Sequence, residues 1–255
     1  MSNQGPGRER GRTHRRGESD DGLEGVPIDL RRKRGGRGVR LLKLLLIVFF
    51  GYYALCVLLL VAYRFVMPPT TGVQAQRRVE ALMSGREYSK QREHVRWNAL
   101  PAHVPRAVVA AEDGRFWDHR GFDWEEMWIA RRDAAGGGRI RGASTITQQL
   151  MKNLFWTTHR NPVRKVYDIA LTPAAELILG KRRILELYLN QVEWGDGIYG
   201  IEAGARHHYG VSAGNLSRTQ GAGMAALLPN PLRRTPANTS QYRASILRRM
   251  GQRGW

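Results

Sequence analysis

Four carboxylates and a histidine lie within twelve residues: Glu112, Asp113, Asp118, His119 and Asp123. They directly follow an apolar stretch, PRAVVAA, at Pro105–Ala111. A carboxylate there stands at the edge of a core, where partial desolvation disfavours its charged form. That lifts its pKa toward the range useful for a general base. Composition alone leans toward a plainer reading, in which the cluster caps and salt-bridges a turn and His119 is a structural hydrogen-bonder. A zinc site is weaker still, because the chain has no H-E-x-x-H spacing.

A second segment, GASTITQQLMKNLF at Gly142–Phe155, places hydroxyls on the first turn of a helix behind a glycine. A helix N-terminus of this kind can hold an anion, and Lys152 can extend such a site along the polar face. Thr145 and Gln148 also form a T-x-x-Q capping box, which explains both without a ligand. In a third segment, Arg160–Asp168, Arg164 and Asp168 stand four residues apart. They form a basic helix face or an ordinary surface pair worth tenths of a kcal/mol.

The elements that must position these residues read as helices. Pro105 suits a first helical turn. Trp124–Arg132 reads as a further helix, with a Gly-rich loop from Asp133 to Gly142 after it. Ile146, Leu150 and Leu154 repeat at four-residue spacing, with Gln148, Gln149 and Lys152 on a polar side. Asn161-Pro162 opens the next helix, and Pro173 is expected to kink or interrupt it. Lys181–Val192 (KRRILELYLNQV) is amphipathic and leads into a glycine-punctuated loop, Gly195–Gly200. Short helices are expected over Ile201–Tyr209, over Arg218–Leu228 behind a Ser217/Gln220 cap, and over Tyr242–Met250. No alternating strand pattern stands out, so the domain is expected to be mostly α.

The chain has 255 residues and a formal net charge of +19. Residues 1–40 are Gly/Arg-rich with almost no aromatics and are expected to be disordered and basic. Residues 41–66 hold a charge-free run, Leu44–Tyr63, long enough to cross a bilayer as a helix. Arg31, Arg32, Lys33, Arg34, Arg37, Arg40 and Lys43 precede it, and Arg64 is the only charge close behind. By the positive-inside rule the N-terminus is cytoplasmic and residues 67–255 lie outside. A cleaved signal peptide has a shorter apolar region and a small-residue cleavage site, which Tyr63-Arg64-Phe65 does not supply. The one cysteine, Cys56, lies in the apolar run, so neither an intrachain disulfide nor a Cys-based metal site is available.

Each segment alone is ambiguous, but their order and spacing together resemble glycosyltransferase family 51, the peptidoglycan polymerases. The pattern E-D-x-x-F-x-x-H-x-G occurs at Glu112–Gly121, G-x-S-T-I-T-Q-Q-x-x-K-N at Gly142–Asn153, and R-K at Arg164-Lys165. K-x-x-I-L-E-x-Y-L-N begins at Lys181. The match spans about Pro101 to Pro231 and is closest to the monofunctional type, since no S-x-x-K or K-T-G transpeptidase motif occurs.

The resemblance implies a lysozyme-like helical glycosyltransferase domain behind one transmembrane helix. It implies that Glu112 deprotonates the 4-hydroxyl of the acceptor GlcNAc, which attacks the terminal MurNAc of the growing chain with inversion. Lipid II is then the substrate, and undecaprenyl diphosphate the leaving group. Lys152, Arg160, Arg164 and Lys165 would stabilise the diphosphate, while Ser144, Thr145, Gln148 and Gln149 would line the same groove. Asp113 would support the local geometry and stand beside the substrate. The family usually has Glu four residues after the Arg of the R-K pair; Asp168 stands there, a second catalytic carboxylate one methylene shorter. Glu176, Glu186 and Glu193 are expected to be structural. No cofactor is required beyond a candidate divalent cation, Mg or Mn, at the diphosphate, and no metal ligand set is assigned. Expected partners are lipid II, the growing glycan, the bacterial inner membrane and cell-wall synthesis or division proteins, with a periplasmic catalytic domain and no nucleic acid.

Two other classes stay open on the residues. A lysozyme-like hydrolase or lytic transglycosylase commonly needs a second, spaced carboxylate and no cationic donor groove. A non-enzymatic membrane scaffold would tolerate loss of Glu112.

Overall fold

The computed structural model describes residues 35–137, 144–159 and 162–255. Most of the N-terminal basic segment, the end of the Gly-rich loop, Arg160 and Asn161 lie outside the described residues.

The first helix, α1 (Gly35–Tyr63), carries a candidate membrane span, Gly38–Tyr63, whose only charges are Arg40 and Lys43 near its start and whose most apolar 18-residue window has mean hydropathy 2.8. At 1.5 Å per residue its 26 residues extend about 39 Å, more than the roughly 30 Å hydrocarbon core of a bilayer. From Leu46 onward the helix belongs to one contact unit with the rest of the chain, Leu46–Trp255. Within that unit its two sides differ. Ile47, Phe50 and Leu58 are exposed, whereas Cys56 and Leu60 are buried. Tyr52 Oη donates to the Phe155 carbonyl at 2.7 Å, and Tyr167 Oη donates to the Phe49 carbonyl at 3.1 Å. One side therefore packs on protein, and the other is apolar and open, as suits contact with lipid.

The remaining helices are α2 (Gly72–Met83), α3 (His103–Glu112), α4 (Trp124–Ala135), α5 (Ile146–Phe155), α6 (Pro162–Gln191), α7 (Ile201–Tyr209), α8 (Arg218–Leu227) and α9 (Ser240–Gln252). Two packings position the site. The α5 helix lies against α6, burying Ile146, Leu150 and Met151, and α3 lies against α8 and α9, burying Val104, Ala107 and Val108. The expected mostly α architecture is what forms. The α2 helix falls in the stretch after Met67, expected to be mainly helical. Thr71 caps it, and it packs on α5.

Two expectations are corrected. The helix over 162–191 runs through Pro173 and breaks at Gly180 instead, where φ is 72° and ψ 160°. Proline's missing N–H orphans the carbonyl of Ile169, an exposed residue at which solvent can replace the bond. Positive φ is steep for other residues and cheap for glycine, so the chain turns at Gly180. The loop after α6 also contains strands. β1 (Gln91–Arg92), β2 (Glu193–Gly195) and β3 (Ile198–Tyr199) form a sheet in the order β1-β3-β2, with β1 parallel and β2 antiparallel to β3. Strands of two or three residues are too short to show alternation. β2 and β3 are also buried throughout, which removes the polar face that alternation reports.

Gly121 pins the turn after α3 to the rest of the site. Its φ is +93°, and a Cβ there would collide with Thr172 Cγ2. Its carbonyl accepts from Thr145 Oγ1 at 2.7 Å and its N–H donates to His119 Nδ1 at 3.1 Å. Gly121→Ala combines backbone strain with overpacking and is expected to cost about 3 kcal/mol, read as a lowered Tm. An unchanged Tm would show that the turn relaxes freely.

Candidate active site

Glu112 is the last residue of α3, and its carboxylate is held by α5. Gln149 Nε2 donates to Glu112 Oε2 at 2.9 Å, while Gln149 Oε1 accepts from Tyr188 Oη at 2.8 Å. Tyr188 is fully buried, so its hydroxyl fixes which end of the Gln149 amide faces the carboxylate. Glu112 keeps part of its surface open, yet protein packs closely around it. Burial pushes its pKa up, opposed by the Gln149 N–H and by the charges of Lys152 and Arg234, while Asp113 adds to the rise.

The neighbouring carboxylate is differently placed. Asp113 is buried, with Oδ1 2.9 Å from His119 Nε2 and Oδ2 accepting from the Ile146 N–H at 2.9 Å. Because His119 Nδ1 accepts from Gly121, the imidazole proton belongs on Nε2 and donates to Asp113. Asp113 thus ties the end of α3 to the first turn of α5. Thr145 and Gln148 are buried in the expected capping box of α5. Ser144 is exposed, and its carbonyl lies 3.4 Å from Gln149 Nε2. Thr147 donates to Glu176 at 2.6 Å, and Lys181 pairs with the same carboxylate at 2.9 Å. Glu176 therefore braces α5 on α6.

The basic residues gather along α5 and the start of α6. Lys152 is pushed below the usual lysine range, first by burial and then by Arg164, with Asp168 and Glu112 pulling the other way. Lys152 thus feels both candidate carboxylates. Arg164 Nε stands 3.6 Å from Asp168 Oδ2, and its Nη1 donates to the His159 carbonyl at 2.7 Å. Asp168 is buried and its pKa is raised, chiefly by burial, against Arg164, Lys165 and Lys152. Lys165 is exposed. Arg160 is among the residues not described.

Three contributors were not foreseen as site residues. Tyr188 lay inside a recognised helical motif that gave it no role. Arg234 and Tyr242 come from the far end of the chain. Tyr242 Oη donates to the Ala111 carbonyl at 3.1 Å, and the Arg234 guanidinium lies 5.2 Å from the Tyr242 ring centre. Arg234 Nη1 is anchored on the Ala226 carbonyl at 2.9 Å. Only tertiary packing brings these two beside Glu112, and no local spacing marks them.

The arrangement can remove a proton and stabilise a departing anion. A base must be deprotonated, so activity is lost as pH falls through the raised Glu112 pKa. A cation must be protonated, so activity is lost as pH rises through the lowered Lys152 pKa. The rate–pH profile is expected to be bell-shaped, with both limbs drawn inward from the ordinary 4.5 and 10.5. A flat profile between those values would contradict the pairing.

Two places offer carboxylate oxygens where a cation could sit. Ligand atoms of Asp113, His119 and Asp123 lie within 4.8 Å of one another. Asp113 and His119 have every ligand atom engaged, and Asp123 Oδ1 caps α4 by accepting from the Glu126 N–H. That group is a hydrogen-bond network. Asp168 differs, since among the described residues its buried Oδ1 has no hydrogen-bond partner. It offers one hard oxygen toward a divalent ion, and other ligands would have to come from substrate phosphates.

Comparison with known proteins identifies the family. A family model described as transglycosylase matches residues 78–251, more than half of the chain. The biosynthetic peptidoglycan transglycosylase of Ectopseudomonas mendocina (strain ymp) is 43% identical over 219 residues, covering 84% of this chain and 89% of that protein. The proteins of the same name from Chromohalobacter salexigens and Stutzerimonas stutzeri are each 44% identical, over 79% and 80% of this chain and 86% and 83% of their own lengths. The chain therefore belongs to the transglycosylase family and is a glycosyltransferase of the biosynthetic peptidoglycan transglycosylase group.

Proposed function

We propose that the chain polymerises lipid II into β-1,4 glycan strands for cell wall biogenesis, with inversion at MurNAc and release of undecaprenyl diphosphate. The observation that carries this reading is the shared use of α5. Gln149 on that helix holds Glu112, and Lys152, less than one turn further, stands under the influence of both Glu112 and Asp168.

In the step, Glu112 takes the proton of the acceptor 4-hydroxyl as its oxygen bonds to the anomeric carbon of the donor MurNAc. The bond from that carbon to the diphosphate oxygen breaks, and its electron pair leaves with the diphosphate. Lys152 and Arg164 supply fixed positive charge where that negative charge develops. Lys165 and Arg160 extend the basic run. Asp168 orients Arg164 and would hold a divalent ion, whose chemistry is to add positive charge at the diphosphate. Expected behaviour follows: chelation slows the wild type, and Asp168→Asn raises the Mg concentration needed for half-maximal rate. Equal metal dependence in both proteins would remove Asp168 from that role.

The apolar helix supports a single-pass anchor in the bacterial inner membrane. The basic residues before it favour a cytoplasmic N-terminus and a periplasmic catalytic domain. Cell-wall synthesis or division proteins are natural partners there. The test is to offer the purified full chain lipid II in one reaction and finished glycan in another. Growth from lipid II supports the transferase, and shortening of glycan without growth makes it a hydrolase.

A further inference from the structure

A pocket of about 500 Å³ opens where the apolar helix leaves the domain. Its wall includes Arg64, Arg96, Trp97, Arg182, Arg183 and Glu186, none of which contacts Glu112 or Asp168. Arg64 directly follows the last residue of α1 and donates from Nη1 to the Ile178 carbonyl at 2.8 Å. Arg183 donates from Nε to the Tyr63 carbonyl at 2.9 Å and from Nη2 to the Val66 carbonyl at 2.8 Å. The pocket is therefore fastened to the end of the span, and the Gly180 break in α6 lies in sequence between Leu179 and Arg182, which line it.

Its charge is unbalanced. The single carboxylate in the wall, Glu186, is taken by Arg183 at 2.8 Å and by the Trp97 N–H at 3.0 Å. Among the described residues no carboxylate pairs with Arg64, Arg96 or Arg182. Arg182 lies 5.5 Å from the Trp97 ring centre and donates to Asn98, while among the described residues no hydrogen bond or ion pair holds the Arg96 guanidinium. Isolated surface arginines need no ligand. Here, however, guanidiniums converge on a concavity that also holds an indole and Leu179. Guanidinium is well shaped for phosphate oxygens, and tryptophan is favoured at the membrane–water boundary.

We propose that this pocket binds the phosphodiester headgroup of an anionic glycerophospholipid from the leaflet on the domain's side. The proposal rests on the membrane-anchor reading of α1. A bound headgroup would bridge the exit of the anchor and α6, fixing the height of the catalytic domain above the bilayer.

The test uses the full chain reconstituted into vesicles of phosphatidylcholine with a minor fraction of phosphatidylglycerol. The protein is then released into mild detergent, and its retained lipids are counted by native mass spectrometry. Wild type is expected to retain phosphatidylglycerol selectively. Arg96→Gln/Arg182→Gln is expected to lose that selectivity by about tenfold. Arg131→Gln/Arg132→Gln, which removes the same charge from exposed positions on α4, is expected to keep it. Equal retention by wild type and the pocket variant overturns the proposal. So does displacement of the lipid by millimolar inorganic phosphate, which would make free phosphate the ligand. Failure to enter pure phosphatidylcholine vesicles defeats the anchor reading itself, whereas entry without selective retention defeats only the pocket.

Discussion

Glu112→Gln is expected to lower the initial rate of glycan polymerisation by about three orders of magnitude while leaving the fold intact. The amide has nearly the same shape, and its carbonyl can still accept the Gln149 N–H that now reaches Glu112 Oε2 at 2.9 Å. What disappears is the lone pair that takes the acceptor proton. Thermal melting of wild type and variant should therefore coincide while their rates diverge. A variant that keeps more than about a tenth of the rate would show that Glu112 is not the base, because general-base contributions are typically at least a hundredfold. Equal traces of activity from both proteins would point to a scaffold.

The second large effect is expected at Lys152. Lys152→Met keeps the length of the stem and removes the charge, so the variant separates electrostatics from packing. The rate constant at saturating lipid II is expected to fall about a hundredfold, the usual scale for losing one fixed group that stabilises developing negative charge. The pH profile supplies a further readout. Lys152 favours the ionised form of Glu112, so its loss raises the Glu112 pKa further and moves the acid limb to higher pH. The alkaline limb should also disappear, because the group that lost its proton there is gone. A variant with reduced rate and both limbs unmoved would mean that Lys152 only packs.

Much of the site was legible because its parts are local. The capping box of Thr145 and Gln148 follows from a three-residue spacing, and it forms as expected. The pair Arg164–Asp168 follows from helical geometry, and its ion pair is present. The apolar run of α1 announces itself by length. What stayed hidden depends on contacts between distant segments. Tyr188 meets Gln149 across 39 positions of sequence, and Tyr242 meets Ala111 across 131. No periodicity encodes such meetings. The same holds for Asp113, whose sequence signature stands next to Glu112 but whose oxygens turn to His119 and the first turn of α5.

The break in α6 teaches a related lesson about punctuation. Proline removes one donor, a loss that an exposed turn can absorb, and so Pro173 leaves the helix standing. Gly180 supplies the positive φ that a sharp change of direction needs, and the helix turns there. The consequence reaches function on both sides of the break. The first half of α6 carries Arg164 and Asp168, and the second carries Tyr188. One long element therefore delivers the cationic groups and the brace for Gln149 at different angles.

The most direct test is the anomeric configuration of the bond made when the full chain acts on lipid II. Direct attack by the acceptor hydroxyl, with Glu112 as base and the diphosphate departing from the opposite face, must convert the α-linked donor into a β-1,4 glycan. Proton coupling at the MurNAc anomeric centre of the isolated polymer reads this out. The expected result is β linkage throughout, with one diphosphate released per bond formed. Retained α linkages, or diphosphate release without any polymer, would contradict Glu112 as the base of an inverting transfer.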